Sequence, residues 1–258
     1  DAGLFRRVEV LAAAGVDMHK RRIATPVLGR AVRVDGLRHG LQLPLALQQA
    51  VLAFGERVYC FIIGKGEQVP ESGLGLVRGL GESMIKFAGG TPVPIQLHEE
   101  HGYSLDAEEL RSLVGPKTKL IIINSPNNPC GSVISPDNLQ SIAELAKEVD
   151  AIVLSDEIYH DFYYEGSHES ISAHPGMKER TIILDGFSKS YAMTGWRLGY
   201  GIFPEPLVEP ISRLVTNSVS CTSSFSQMAT LAALDGPQDS VIDMVREFKR
   251  RRDVIVPG

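Results

Sequence analysis

The sequence is poor in the features that mark secreted, metal-binding and membrane proteins. Its three cysteines, Cys60, Cys130 and Cys221, are odd in number and far apart, which argues against a disulfide framework or a zinc site and favours buried, inert thiols. No apolar run approaches the roughly 18 to 20 residues of a membrane helix, and the first residues lack a basic-then-apolar signal layout. We therefore expect a cytoplasmic protein without membrane contact.

A large excess of charge of one sign is also absent. The formal net charge of the 258 residues is −5, which gives no reason to expect nucleic acid as a partner. Hydrophobic residues make up 43% of the chain and charged residues 22%, with a mean hydropathy of +0.00, so the chain is neither disordered nor dominated by membrane segments. The length suits one large domain, or a domain and part of a second.

Apolar runs alternate with amphipathic stretches from about residue 119 onward. This alternation is typical of β-α-β units around a largely parallel sheet. The predicted strands are 119–124, 151–156, 181–186 and 195–203. The predicted helices are 136–148, 204–218, 224–235 and 237–252, the first with Ser135 as its cap and Pro136 in its first turn.

The first 80 residues are harder to organise, because their apolar periodicity is weak and glycines crowd the stretch 64–81. We predict a helix over 41–54 in spite of Pro44. A recognisable pattern of secondary structure resumes at the segment 82–97.

A lysine in the run "DGFSKSYAMTGWRLGY" (185–200) points to covalent chemistry. Lys189 lies just beyond a predicted buried strand, and Arg197 follows eight residues later. Burial at a sheet edge favours the neutral amine of a lysine, and a neutral amine can condense with a carbonyl. Taken alone, however, a lysine in an α/β protein is more often a surface residue.

This run resembles the cofactor-attachment signature of the class I/II aminotransferases, which belong to the fold-type I pyridoxal-phosphate enzymes. The resemblance implies that Lys189 forms a Schiff base with pyridoxal 5'-phosphate and moves a proton between the substrate α-carbon and the cofactor. Ser188 and Arg197 match the family's phosphate ligands, and an arginine fork and a hydroxyl suit a phosphate dianion. The family often has a second hydroxyl three residues before the lysine, where this chain has Gly186.

The segment "VLSDEIYHDF" (153–162) places Asp156 at the end of a predicted strand and Tyr159 three residues later. Ligands of open α/β sheets collect at such strand ends, although an aspartate there is more often a helix cap. The segment is similar to the family pattern D-E-x-Y, which implies that Asp156 keeps the pyridine nitrogen protonated and that Tyr159 hydrogen-bonds the ring's phenolic oxygen. Glu157 and His160 are interpreted as structural.

A third segment, "NSPNNPCG" (124–131), contains asparagines and prolines that by themselves indicate only a turn. It resembles the family motif N-P-x-N-P-[TC]-G. The resemblance implies that Asn128 donates to the phenolic oxygen of the cofactor and contacts the substrate carboxylate.

The resemblance implies a three-layer fold, a mostly parallel sheet with helices on both faces, as in the large domain of pyridoxal-phosphate-dependent transferases. It divides the chain into a poorly matched part of that domain (1–81), the cofactor-binding part (82–235) and the start of a helix that connects to a small domain absent from this chain (236–258). The ring-stacking aromatic should lie in the first part, where Tyr59 or Phe61 are candidates. No arginine after 204 occupies a family context for gripping a substrate carboxylate.

The function implied is an aminotransferase that moves an amino group from an amino acid, with aspartate as the first guess, to a 2-oxo acid, in a homodimer. Two alternatives stay open within the fold: a non-catalytic or weakly active cofactor-binding remnant, and a β-lyase or decarboxylase with the same anchor residues. A nucleotide-binding protein of the Rossmann type is a third, weaker idea, because the glycines of 73–81 do not lie between a clear strand and helix.

Overall fold

The computed structural model describes residues 61–64 and 80–256. The predicted helix over 41–54 and the stacking candidate Tyr59 lie outside these residues. Phe61 is described only by its place in a strand, so neither stacking candidate is tested.

The described strands form one sheet. They are β1 (Phe61–Gly64), β2 (Thr91–Pro94), β3 (Leu120–Asn124), β4 (Ile152–Asp156), β5 (Thr181–Gly186) and β6 (Gly199–Ile202). Their spatial order is β2-β1-β3-β4-β5-β6. The pairs β3/β4 and β4/β5 are parallel, whereas β1 is antiparallel to both β2 and β3, and β6 is antiparallel to β5. Within the described sheet, β2 to β5 therefore run in one direction and β1 and β6 in the other.

The described residues contain six α-helices, of which the last four lie close to the predicted positions and the first two were not predicted. They are α1 (Leu80–Phe87), α2 (Ala107–Leu113), α3 (Pro136–Glu148), α4 (Glu205–Val219), α5 (Ser224–Asp235) and α6 (Asp239–Ile255). The start of α3 is confirmed in detail, because the Ser135 hydroxyl accepts a hydrogen bond from the Asn138 N–H at 3.2 Å and Pro136 opens the helix.

The predicted strand over 195–203 is shorter than expected. Thr194–Trp196 forms a 3-10 helix, and Arg197 ends it with a φ of 53°. A residue in this left-handed conformation cannot belong to a strand, so β6 begins at Gly199.

Helices cover both faces of the sheet, as the resemblance implied. On one face, Ile121, Ile123 and Val153 pack with Leu110 of α2 and Ile142 of α3. The other face is a second cluster of buried side chains: Ile85 of α1, Leu120, Ile122, Leu154, Ile182, and Leu207 and Ile211 of α4. Because β3 and β4 are buried on both faces, they read as continuous apolar runs.

Candidate active site

The parallel strands β3, β4 and β5 end at the same edge of the sheet. Asn124 pairs with Asp156, and Asp156 pairs with Leu184. An open cavity of about 1060 Å³ lies at this edge. It is lined by all six residues predicted from the sequence to form the site, Asn128, Asp156, Tyr159, Ser188, Lys189 and Arg197.

Asn128 and Tyr159 are in direct contact. The Asn128 Nδ2 donates to the Tyr159 hydroxyl at 3.2 Å. Asn124 holds the turn in place, because its Oδ1 accepts from the Asn128 N–H at 2.9 Å and its Nδ2 donates to the carbonyl of Asp156 at 3.1 Å. Asn124 was missed by sequence reasoning, although a polar residue closing the apolar run "LIIIN" is a usable signal.

Asp156 is buried, with 8% of its surface exposed. Its carboxylate accepts a hydrogen bond from the Ile158 N–H at 3.1 Å. The pKa of Asp156 is raised to about 6, mainly by burial and to a smaller extent by the nearby Asp185 and Glu157 carboxylates, while the Ile158 hydrogen bond and Lys189 act in the opposite direction. A carboxylate in this position gains from a cationic partner such as a protonated pyridine nitrogen.

Lys189 follows β5 by three residues, as predicted. Its Nζ lies 5.5 Å from the centroid of the Tyr159 ring, and its charge acts on the pKa of Asp156. The amine therefore faces the tyrosine and the buried carboxyl across the same cavity.

Ser188 and Arg197 are linked by Thr194, a residue that sequence reasoning did not single out. The Thr194 hydroxyl donates to the carbonyl of Ser188 at 2.9 Å, and Arg197 Nη1 donates to the carbonyl of Thr194 at 3.0 Å. The turn brings an arginine and a hydroxyl to the lysine side of the cavity, where they suit an anion.

The glycine that departs from the family pattern has a steric reason in this chain. A Cβ at Gly186 would lie 2.9 Å from Gly199 Cα and 3.2 Å from the carbonyl oxygen of Leu198. The close approach of β5 and β6 leaves no room here for a serine or threonine.

Glu157 and His160 make contacts that brace the segment carrying Asp156 and Tyr159. Glu157 is 7% exposed and accepts hydrogen bonds from the hydroxyls of Ser155 at 2.9 Å and Ser170 at 2.7 Å. His160 Nδ1 lies 3.5 Å from Asp185 Oδ2, and this carboxylate raises the pKa of His160 to about 9. Both arrangements agree with a structural role.

The expectation of buried thiols is wrong for the two cysteines that the structure describes. Cys130 and Cys221 are exposed, because each lies in a connecting segment outside the sheet and its covering helices. Cys60 lies outside the described residues.

The family model described as "Aminotransferase class I and II" matches residues 82–258. The chain belongs to the class I and II aminotransferase family. Proteins of this family use pyridoxal phosphate.

Curated relatives and solved structures agree with this membership. The chain is 39% identical over 174 residues to an aspartate aminotransferase of Sulfurisphaera tokodaii, covering 67% of this chain and 43% of the relative. It is 44% identical over 174 residues to the aromatic-amino-acid aminotransferase 2 of Thermococcus litoralis, covering 66% and 45%. The structure of an aromatic aminotransferase from Pyrococcus horikoshii superposes with a TM-score of 0.68 at 35% identity, covering 81% of this chain and 54% of that one. The chain thus spans less than half the length of these two curated relatives.

Within residues 61–64 and 80–256, none of the helices is long and apolar enough to cross a membrane. The same residues contain no group of histidine, cysteine and acidic side chains that could hold a metal ion.

Proposed function

We propose that this chain binds pyridoxal 5'-phosphate through Lys189, and that the protein transfers an amino group from an amino acid, aspartate first, to a 2-oxo acid. One observation carries the proposal: a lysine amine, a buried carboxyl, an amide–phenol pair and a serine–arginine turn line a single cavity at the carboxyl ends of parallel strands.

The chemistry of these groups fits the cofactor. Asp156 would hold the pyridine nitrogen, since burial of its carboxylate favours a cationic partner. Asn128 and Tyr159, already joined by a hydrogen bond, would donate to the phenolic oxygen. Ser188 and Arg197 would bind the phosphate. When bound, the cofactor supplies an electron-withdrawing ring that accepts the electron pair of the substrate Cα–H bond.

The protein's own residues would divide the remaining work. The Lys189 amine would hold the cofactor covalently, and it would also carry the proton at the substrate α-carbon. Asn128 orients the substrate carboxylate. Asp156 keeps the proton at the pyridine nitrogen, so that the ring stays electron-poor during the transfer.

We also propose a domain division from this alignment of motifs. Residues 1–81 form a poorly matched N-terminal part of the large domain, and 82–235 form its cofactor-binding part. Residues 236–258, which include α6, begin the helix that connects to a small domain. A homodimer completes the proposal, because apolar side chains are exposed on and beside α5, among them Val219, Phe225 and Met228.

The arginines after residue 204 favour a weakly active chain. The exposed helix surfaces hold Arg213 against Glu209, Arg246 against Asp243, and Arg250 and Arg251 against Glu247. Arg252 pairs with Glu165 and Asp253. Among the described residues, Arg197 is the arginine that lines the cavity, and we assign it to the phosphate. We therefore expect cofactor binding to be sound while turnover stays well below the roughly 10 s⁻¹ typical of enzymes, since a loosely held carboxylate misplaces the α-hydrogen.

The test is to add pyridoxal phosphate to the purified chain, reduce with borohydride and locate the modified residue by mass spectrometry. We expect a visible absorption band and cofactor fixed on Lys189. Lys189→Ala should lose both, whereas the matched control Lys178→Ala, at an exposed lysine, should keep both. Cofactor that is still fixed by borohydride in Lys189→Ala would overturn the assignment.

Parallel assays of turnover on aspartate, alanine and aromatic amino acids with 2-oxoglutarate test the rest of the proposal. Turnover near 10 s⁻¹ would show that a residue outside this set holds the carboxylate.

A further inference from the structure

Tyr159 contacts two other residues of the proposed site. Its hydroxyl accepts from Asn128 and its ring faces the Lys189 amine. The ring must therefore keep one orientation for both contacts to persist. The backbone alone does not fix that orientation, because a tyrosine side chain can rotate about χ1 and χ2.

Two phenylalanines form a line of ring contacts that runs from Tyr159 to α6. Phe162, in the 3-10 helix His160–Phe162, lies 6.1 Å from the Tyr159 ring with an interplanar angle of 71°. Phe248 of α6 lies 5.5 Å from the Phe162 ring at 74°. Both are edge-to-face contacts, which the charge distribution of aromatic rings favours over a face-to-face arrangement.

Polar contacts hold α6 at the same segment. Glu165 Oε1 pairs with Lys249 Nζ at 3.2 Å and with Arg252 Nη2 at 2.8 Å. The Arg252 guanidinium lies 4.9 Å from the centroid of the Tyr164 ring. Ion pairs between exposed side chains contribute little individually, so they add only modestly to the ring contact between α6 and this segment.

We infer that Phe162 and Phe248 are positioning residues for Tyr159, so that α6 is coupled to the cofactor site through packed rings. A shift of α6 changes the packing around Phe162, and Phe162 is the ring that limits the rotation of Tyr159 on that side. This inference rests on the proposed function for its consequence, but the packing itself is testable without cofactor.

The first experiment uses the bound cofactor as a reporter of the Tyr159 hydroxyl. A phenol that donates to the cofactor's phenolic oxygen stabilises its ionised form, so loss of that donor should raise the pH at which the visible band titrates. The shift measured for Tyr159→Phe gives the full effect of losing the hydroxyl. Phe248→Ala should shift the titration in the same direction by at least about half as much, and Phe248→Tyr, which keeps the ring, should restore the parent value.

Additivity separates positioning from a general loosening of α6. If Phe248 acts through Tyr159, the visible band of the double variant Tyr159→Phe/Phe248→Ala should titrate at the same pH as that of Tyr159→Phe. The matched control Ile242→Ala, on the same helix and about as exposed as Phe248 (46% against 44%), should titrate like the parent. The other groups able to affect the titration, Asp156, Lys189 and the His160–Asp185 pair, are unchanged in all of these variants. The inference would be overturned if Phe248→Ala titrated at the same pH as the parent, or if the shift of the double variant equalled the sum of the two single shifts.

The second experiment needs no cofactor. In a chain labelled with 13C at its tyrosine rings, the Tyr159 signals are assigned by their absence in Tyr159→Phe. They should move in Phe162→Leu and Phe248→Ala and stay in place in Ile242→Ala. A parent chain without a visible band would refute the proposed function, yet the ring signals would still decide this inference, since unmoved Tyr159 signals would overturn it.

Discussion

Replacing Asp156 with asparagine tests the electrostatics of the site in the absence of ligand. Burial raises the pKa of this carboxyl from 3.8 to about 6. At about 1.4 kcal/mol per pH unit, ionised Asp156 costs the folded chain about 3 kcal/mol above pH 7. Asparagine removes the charge, and its Oδ1 can still accept the hydrogen bond of the Ile158 N–H. Asp156→Asn should therefore raise the free energy of unfolding of the cofactor-free chain by up to about 3 kcal/mol at pH 8.

The sign of the pH dependence follows from the raised pKa. Between about pH 4 and pH 6 the folded state binds more protons at Asp156 than the unfolded state, so the parent loses stability as pH rises through this window. The advantage of the variant should accordingly shrink to about 1 kcal/mol at pH 4.5.

Urea unfolding of both chains at pH 4.5 and pH 8 measures the difference. Asp243→Asn is the control, because the Asp243 side chain is 72% exposed and its replacement should change stability by less than about 0.5 kcal/mol at either pH. Equal unfolding free energies for Asp156→Asn and its parent at pH 8 would refute the reasoning.

Two further substitutions test the geometry around the site. Gly186→Ala would place a Cβ 2.9 Å from Gly199 Cα and should lower the free energy of unfolding by about 1 to 3 kcal/mol in a urea titration; Gly115→Ala, where a Cβ meets nothing within 4 Å, is the control, and equal midpoints for the two would contradict the steric account. Asn124→Ala removes a buried hydrogen bond to the Asp156 carbonyl and a partly buried one from the Asn128 N–H, and should cost about 2 to 4 kcal/mol. A loss below about 0.5 kcal/mol would mean that water or a neighbour replaces these bonds.

The sheet was predictable where the chain is buried on both sides. Apolar runs such as 119–124 and 151–156 can bury all of their side chains only in the middle of a sheet with helices on both faces. The strands β3 and β4 lie there. The start of α3 was equally predictable, because Ser135 and Pro136 are local signals that need no knowledge of the rest of the chain.

The site residues came from motif resemblance, which does not show the contacts that hold these residues in place. Thr194 joins Ser188 to Arg197 only because the chain reverses between β5 and β6. Phe162, the last residue of the segment 153–162, meets Phe248 across many residues of sequence, and Phe248 lies in no motif. The shortened β6 depends on the left-handed conformation of Arg197, which an arginine in the sequence does not predict.

The return of β6 alongside β5 has a consequence for how the site assembles during folding. Asp185 and Tyr200, which flank the lysine-bearing loop, are 15 positions apart, whereas Asn124 and Asp156 are 32 positions apart and separated by α3. Closing the shorter loop costs about 0.6 kcal/mol less chain entropy, and local contacts form sooner than distant ones. The half of the cavity that holds Lys189 and Arg197 is thus specified by a short chain reversal, while the half that holds Asp156 forms only when α3 and the strands around it have packed together.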